Sequence, residues 1–120
     1  MFIDNLIDTI KEKGTPVICG LDPNINLIPK KFISDLYGNK SLTVSEKANV
    51  FFAYNKLIID EIHDLIPAIK PQIAYYEALG IEGMKCLMET IKYAKEKNLL
   101  IILELISFRF FCMFHPAYLD

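Results

Sequence analysis

The sequence has no excess of positive charge, few cysteines and no long hydrophobic run, and each absence excludes a class of protein. Its 13 basic and 15 acidic residues give a net charge of −2, so it carries neither a nucleic-acid footprint nor a polybasic membrane arm. Its three cysteines, Cys19, Cys86 and Cys112, are widely and irregularly spaced, which argues against a disulfide framework and a zinc knuckle. No apolar run reaches the length of a bilayer span.

The opening residues, 1–5, carry an early acid and no basic segment, so no secretory signal is expected. These absences together predict a soluble protein of the reducing cytoplasm with neither nucleic-acid nor membrane partners. What is present is a chain of 120 residues, 52% hydrophobic and 23% charged. Such a composition supports a globular core, and the length corresponds to one domain or part of one.

Apolar periodicity and breakers predict an alternation of helices and strands. Thr43 and Glu46 have the spacing of a capping box, which marks a helix start. The predicted order is a helix ended by Gly14, a strand at 17–21, a short helix at 30–37, a long helix from 44 closed by Pro67, a strand ending at Lys70, a helix ended by Asn98, and a strand at 99–103.

Two of the predicted helices carry apolar stripes that we expect to be buried. The stripe on the long helix comprises Phe51, Tyr54, Leu57, Ile58, Ile62 and Leu65. The stripe on the last helix comprises Met84, Leu87, Met88, Ile91 and Ala94. The nearly all-apolar segment 17–21 is typical of a strand buried on both faces of a parallel sheet.

This alternation predicts an α/β fold with parallel strands and right-handed crossovers. A doubly wound sheet and the first part of an eight-fold barrel both satisfy it. A barrel usually takes about 250 residues, so in that case the chain holds less than half of one. No G-x-G-x-x-G sequence follows the first strand, which removes the simplest dinucleotide-binding interpretation.

Charged residues precede proline at the ends of two predicted strands. Lys70 stands before Pro71 and Asp22 before Pro23, and the carboxyl ends of parallel strands are where α/β proteins collect ligand groups. Simpler interpretations stay open, because a lysine there is often a solvated rim residue and Asp-Pro is often a turn. His63 has no second histidine or cysteine at ligand spacing, so we expect a surface histidine and no metal site.

Four segments together resemble the amino-terminal part of orotidine 5'-phosphate decarboxylase, over residues 2–105. They are the Val-Ile-Cys-Gly-Leu-Asp-Pro sequence at 17–23, Phe52 with Asn55, the segment 67–80 containing Lys-Pro-Gln-Ile-Ala-Tyr-Tyr-Glu, and Tyr-Ala-Lys-Glu-Lys at 93–97. The Gly-Leu-Asp-Pro and Lys-Pro-Gln signatures resemble those of a bacterial subgroup.

The resemblance implies an amino-terminal fragment of a TIM (β/α)8 barrel with about three parallel strands and their helices. It also implies a homo-oligomer that converts orotidine monophosphate to uridine monophosphate and CO2 without metal or cofactor. Asp22 would bind the ribose, and Lys70 would lie among the active-site charges and contact the substrate's sugar.

The resemblance ends abruptly near the third strand. The family has Asp-x-Lys-Arg-x-Asp-Ile there, whereas this chain has Glu104, Ile106 in place of the proton-donor lysine, and Arg109 in place of the second aspartate. An isoleucine cannot donate a proton, so we expect the chemical step to be essentially lost.

Residues 106–120 form an atypical tail rich in phenylalanine, which divides the chain into a decarboxylase-like part at 1–105 and this tail. The leading hypothesis is a truncation or a change of reading frame. One alternative is divergence toward a non-catalytic half-barrel that associates through the aromatic cluster. Another is a pentulose-phosphate decarboxylase relative, which would also need the missing acid and lysine.

Overall fold

A computed structural model describes residues 1–103 of the chain. Its centre is a parallel sheet in the order β1-β2-β3, formed by β1 (Ile18–Leu21), β2 (Ala68–Pro71) and β3 (Leu100–Ile101). The helices are α1 (Phe2–Lys13), α2 (Lys30–Tyr37), α3 (Val44–Ile62), α4 (Ile73–Glu77) and α5 (Gly80–Glu96). The predicted alternation and the parallel arrangement are confirmed.

Local sequence signals account for several helix ends. Gly14 follows α1 in the left-handed conformation, with φ of 73°, as glycine after a helix commonly does. At the start of α3, the Thr43 hydroxyl accepts from the Glu46 N–H at 3.2 Å, and the Glu46 carboxylate accepts from the Thr43 N–H at 2.9 Å. This reciprocal pair confirms the predicted capping box.

The element boundaries differ from the prediction in three places. Helix α3 ends at Ile62, well before Pro67, and β3 is confined to two residues, Leu100–Ile101. The short helix α4, Ile73–Glu77, was not predicted. Five residues are too few to display a 3.6-residue period, so apolar patterning could not reveal it.

The apolar core lies between the sheet and helices α3 and α5, and it has two clusters. The cluster under the sheet comprises Leu21, Ile59, Ile66, Ile69, Ala94 and Leu99. The cluster among the helices comprises Ile28, Ala48, Val50, Phe51, Tyr76, Cys86 and Leu87. Helices α4 and α5 approach so closely that a Cβ built on Gly83 would lie 1.8 Å from the Tyr76 carbonyl oxygen.

Parts of both predicted apolar stripes were wrong. Leu57 and Leu65 are 46% and 64% exposed, and Met84 and Met88 are 37% and 69% exposed. Buried positions include Asn55 and Ile59 on α3, and Cys86 and Thr90 on α5. Each helix contacts the described core along one narrow face, which repeats every third or fourth residue and excludes the neighbouring apolar positions.

Segment 17–21 is likewise not buried on both faces. Val17 is 59% exposed and Gly20 is exposed, whereas Leu21 is buried. The helices cover one face of the sheet, whereas on the other face Gly20 is exposed and Lys70 is half-buried, with Ala68 fully buried. Among these residues, no helix combines the length and the apolar character needed to cross a bilayer.

Candidate active site

The candidate site lies where β1 and β2 end side by side. The two strands are parallel, with Gly20 opposite Lys70 and Leu21 opposite Pro71, so their carboxyl ends meet at one edge of the sheet. Asp22 follows β1 directly, and Lys70 is the next-to-last residue of β2. The predicted placement of both residues at this edge is therefore confirmed.

Both charged side chains belong to the face opposite the helices. Leu21 and Ile69 are buried in the cluster under the sheet, and side chains alternate along a strand, so Gly20 and Lys70 lie on the other face. A Cβ built on Gly20 would come within 3.4 Å of Asp22 Oδ2, which places that carboxylate on the Gly20 side. Asp22 is exposed and Lys70 is half-buried, as suits groups that meet a ligand.

A buried polar network reaches the end of β1 from the helices. The Tyr76 hydroxyl donates to the Leu21 carbonyl at 3.1 Å and accepts from Asn55 Nδ2 at 3.0 Å. Asn55 Nδ2 also donates to Thr90 Oγ1 at 3.2 Å. None of the three side chains is more than 1% exposed. Leu21 immediately precedes Asp22, so the network terminates beside the candidate site.

The Asp22 carboxylate contributes to raised pKa values of two groups near the end of β1. Burial raises the pKa of the Cys19 thiol, and the Asp22 carboxylate raises it further. Burial also raises the pKa of the Tyr76 hydroxyl, with a smaller contribution from Asp22. The hydroxyl is therefore a neutral donor throughout the physiological range.

Sequence reasoning assigned no role to Tyr76 and Asn55. Asn55 lies between Phe51 and Ile59 at four-residue spacing, and all three are buried. An amide on the buried stripe of a helix needs a buried partner, and this signal was available in the sequence. The partner's identity was not, because Tyr76 lies 21 residues away.

No metal centre is formed by the described residues, since no group of three metal-ligating side chains occurs within 1–103. His63 Nδ1 lies 3.2 Å from Asp64 Oδ1 and is partly exposed. A polar cavity of about 540 Å³ beside it is lined by Lys13, His63, Asp64 and Asn98, among others. His63 and Asp64 precede β2 and Asn98 precedes β3, so this cavity is at the opposite edge of the sheet from Asp22 and Lys70.

Comparison with known proteins agrees with this geometry. The chain is 39% identical over 106 residues to orotidine 5'-phosphate decarboxylase from Clostridium perfringens. It is 32% identical over 103 residues to the enzyme of that name from Caldicellulosiruptor saccharolyticus. These alignments cover 88% and 86% of this chain. The chain is a partial homologue of the orotidine 5'-phosphate decarboxylases. No protein-family model matches it.

The chain spans only about a third of the length of these decarboxylases, 33% and 34% respectively. A crystal structure of a candidate orotidine-monophosphate decarboxylase from Toxoplasma gondii superposes with a TM-score of 0.68 at 21% identity, covering 98% of this chain and 38% of that one. A crystal structure of a candidate orotidine 5'-phosphate decarboxylase from Streptomyces avermitilis superposes with a TM-score of 0.62 at 20% identity. That superposition covers 85% of this chain and 32% of the other. The fold is therefore that of a decarboxylase-type TIM barrel, present here as three strands and their helices within residues 1–103.

The resemblance predicts a departure from the decarboxylase signature at Glu104, Ile106 and Arg109, and these residues lie outside the described part of the chain. The same holds for the proposed division between residues 1–105 and the tail at 106–120. Of the predicted site, the structure thus describes the first-strand aspartate and the second-strand lysine.

Proposed function

We propose that this chain derives from an orotidine 5'-phosphate decarboxylase of uridine monophosphate synthesis. The supporting observation is that Asp22 and Lys70 share one face and one edge of a parallel sheet. They do so in a chain 39% identical to a decarboxylase of that name. The substrate is a small molecule, orotidine 5'-phosphate, and no cofactor is required.

The two residues suit different parts of that substrate. The Asp22 carboxylate is an acceptor for ribose hydroxyls, because an ionised carboxylate offers only acceptor sites. Loss of CO2 from C6 of the base leaves a carbanion, so the site must stabilise negative charge and then supply a proton. Lys70 contributes a fixed positive charge at this edge and contacts the sugar.

We further propose that the chain itself has no measurable turnover. The side chain at the proton-donor position is Ile106, which has no ionisable group. An interaction made chiefly in the transition state lowers the rate of the chemical step when it is deleted, even if the substrate still binds. In this proposal residues 1–105 are the decarboxylase-like part, and Asp22 and Lys70 retain a ligand site without the complete catalytic set.

The same proposal includes the cellular compartment, the absence of nucleic-acid partners and the oligomeric state. A net charge of −2 and a pI near 5.7 give no basic surface for nucleic acid. Widely spaced cysteines suit a reducing cytoplasm. The intact family protein is expected to be a homo-oligomer.

Release of CO2 from orotidine 5'-phosphate tests the assignment, with the chain and its Lys70→Ala variant measured side by side. We expect no turnover from either protein. Turnover by the unaltered chain would contradict the role given to Ile106. If such turnover also persisted in Lys70→Ala, it would overturn the site assignment.

The nucleotide sequence from the codon for Leu99 onward, translated in all three forward frames, tests the origin of the tail. An Asp-x-Lys-x-x-Asp-Ile stretch in a shifted frame is the expected result, and restoring that frame should then restore turnover. Absence of the stretch in every frame would mean that the aromatic tail is native to the protein, contrary to the frame-change hypothesis.

A further inference from the structure

The buried hydrogen-bond network beneath β1 links side chains of three helices to one backbone carbonyl at the end of the strand. Tyr76 comes from α4, Asn55 from α3 and Thr90 from α5, so three helices contribute to it. The bonds measure 3.0 Å from Asn55 to Tyr76, 3.2 Å from Asn55 to Thr90 and 3.1 Å from Tyr76 to Leu21. They converge on one backbone carbonyl, that of the residue before Asp22.

Core packing alone does not require these polar groups. Buried amides and hydroxyls lose their hydration, and apolar residues of similar shape can fill the same space at comparable stability. The network is fully satisfied, since no buried side-chain nitrogen or oxygen within residues 1–103 lacks a partner. A satisfied buried network gives directional order to the groups it joins.

The backbone that the network reaches is the last residue of β1. Leu21 is paired in register with Pro71, which brings no N–H to the ladder, and the chain leaves the sheet through Asp22 and Pro23. The Tyr76 hydroxyl supplies a donor at this point. The side chain of Asp22 is itself exposed, so its direction depends on the backbone that carries it.

We infer that Tyr76 is a positioning residue for Asp22, with Asn55 and Thr90 holding its hydroxyl in place. The Tyr76 hydroxyl fixes the Leu21 carbonyl, and thereby the angle at which the chain leaves β1 and the carboxylate meets a ligand. This inference rests on the proposed function only in giving Asp22 a ligand. The positioning itself can be tested without substrate.

Cys19 provides a local probe of the Asp22 carboxylate. Its thiol is half-buried, and the Asp22 charge contributes to the raised pKa of that thiol. Asp22→Asn should therefore move the pH profile of Cys19 alkylation to lower pH. Mass spectrometry resolves this site from Cys86, whose pKa burial raises to about 12. Cys86 consequently reacts when the protein unfolds and reports on folding in the same sample.

The test is a double-mutant cycle between Tyr76→Phe and Asp22→Asn, read from the Cys19 profile. We expect Asp22→Asn to shift the profile in the unaltered chain and to lose that effect in Tyr76→Phe, because the carboxylate is then no longer held near the thiol. Tyr75→Phe, at the neighbouring half-buried tyrosine, is the matched control and should leave the Asp22→Asn shift intact.

An Asp22→Asn shift of equal size in the Tyr76→Phe background would overturn the inference. If Cys86 labelling shows that Tyr76→Phe is unfolded, Thr90→Val replaces it in the cycle, since this near-isosteric change removes one acceptor from Asn55 and leaves Tyr76 in place. A reduced Asp22→Asn shift would then support the inference, and an unchanged shift would overturn it. Neither outcome depends on orotidine 5'-phosphate binding, so failure of the proposed function would be seen separately.

Discussion

The two faces of the sheet differ sharply in how the described chain covers them. On the helix side, Leu21 and Ile69 are at most 1% exposed and pack against α3 and α5. On the other side, Ala68 is buried, but toward the carboxyl ends of the strands Gly20 and Asp22 are exposed and Lys70 is half-buried. The covered side is packed by residues of α3 and α5, and in a complete (β/α)8 barrel the face of the sheet opposite the helices forms the interior. Strand alternation therefore separates the buried residues Leu21 and Ile69 from Gly20 and Lys70.

The largest expected effect is on the covered side, at Gly83. A Cβ there would lie 1.8 Å from the Tyr76 carbonyl oxygen and 2.9 Å from Leu79 Cβ. We expect Gly83→Ala to lower the free energy of unfolding by about 3 kcal/mol or more, because backbone must move to accept the methyl group. Chemical denaturation measures this.

Met84→Ala is the matched control for Gly83→Ala, because Met84 is 37% exposed at the next position of α5. It should cost less than about 1 kcal/mol. Similar losses in the two variants would contradict the close approach of α4 and α5.

A second pair of variants compares a buried position with an exposed one on the same helix, α3. Ile59 is fully buried and Leu57, two residues earlier on α3, is 46% exposed. Ile59→Ala should cost about 2–5 kcal/mol by opening a cavity, and Leu57→Ala less than about 1 kcal/mol. Denaturation midpoints of the two variants decide between the observed buried face and the stripe predicted from sequence. A larger loss of stability in Leu57→Ala than in Ile59→Ala would favour the stripe predicted from the sequence.

The smallest effect is expected on the exposed side of α5. Met88 is 69% exposed, so Met88→Gln should change the free energy of unfolding by no more than about 0.5 kcal/mol. Leu87→Ala, at the buried neighbouring position, should cost about 2–5 kcal/mol. A large loss for Met88→Gln in the same denaturation series would mean that this face is covered in solution.

Short-range signals in the sequence predicted much of the fold. The capping box of Thr43 and Glu46, the stop at Gly14 and the prolines after Lys70 and Asp22 each act within a few residues, so local chemistry determines them. Which apolar residues are buried depends instead on what the rest of the fold supplies. Leu57 and Ile59 have similar hydrophobicity, yet Ile59 packs in the core and Leu57 is 46% exposed.

The same distinction applies to the candidate site. Asp22 and Lys70 could be predicted because each is fixed by the end of its own strand. The Tyr76 hydroxyl bonds to a carbonyl 55 residues away, a relation that no local pattern contains. The role of Ile106 rests on the family resemblance and stays a prediction.

The most direct test of the account is a titration of the chain with uridine 5'-monophosphate, followed by ¹H–¹⁵N NMR, with inorganic phosphate as the control ligand. We predict that the amide signals of Gly20, Asp22 and Lys70 shift with the nucleotide, and that Asp22→Asn abolishes the response. Inorganic phosphate alone should not reproduce it. A nucleotide response confined to residues away from this edge, or no response at all, would contradict a ligand site formed by Asp22 and Lys70.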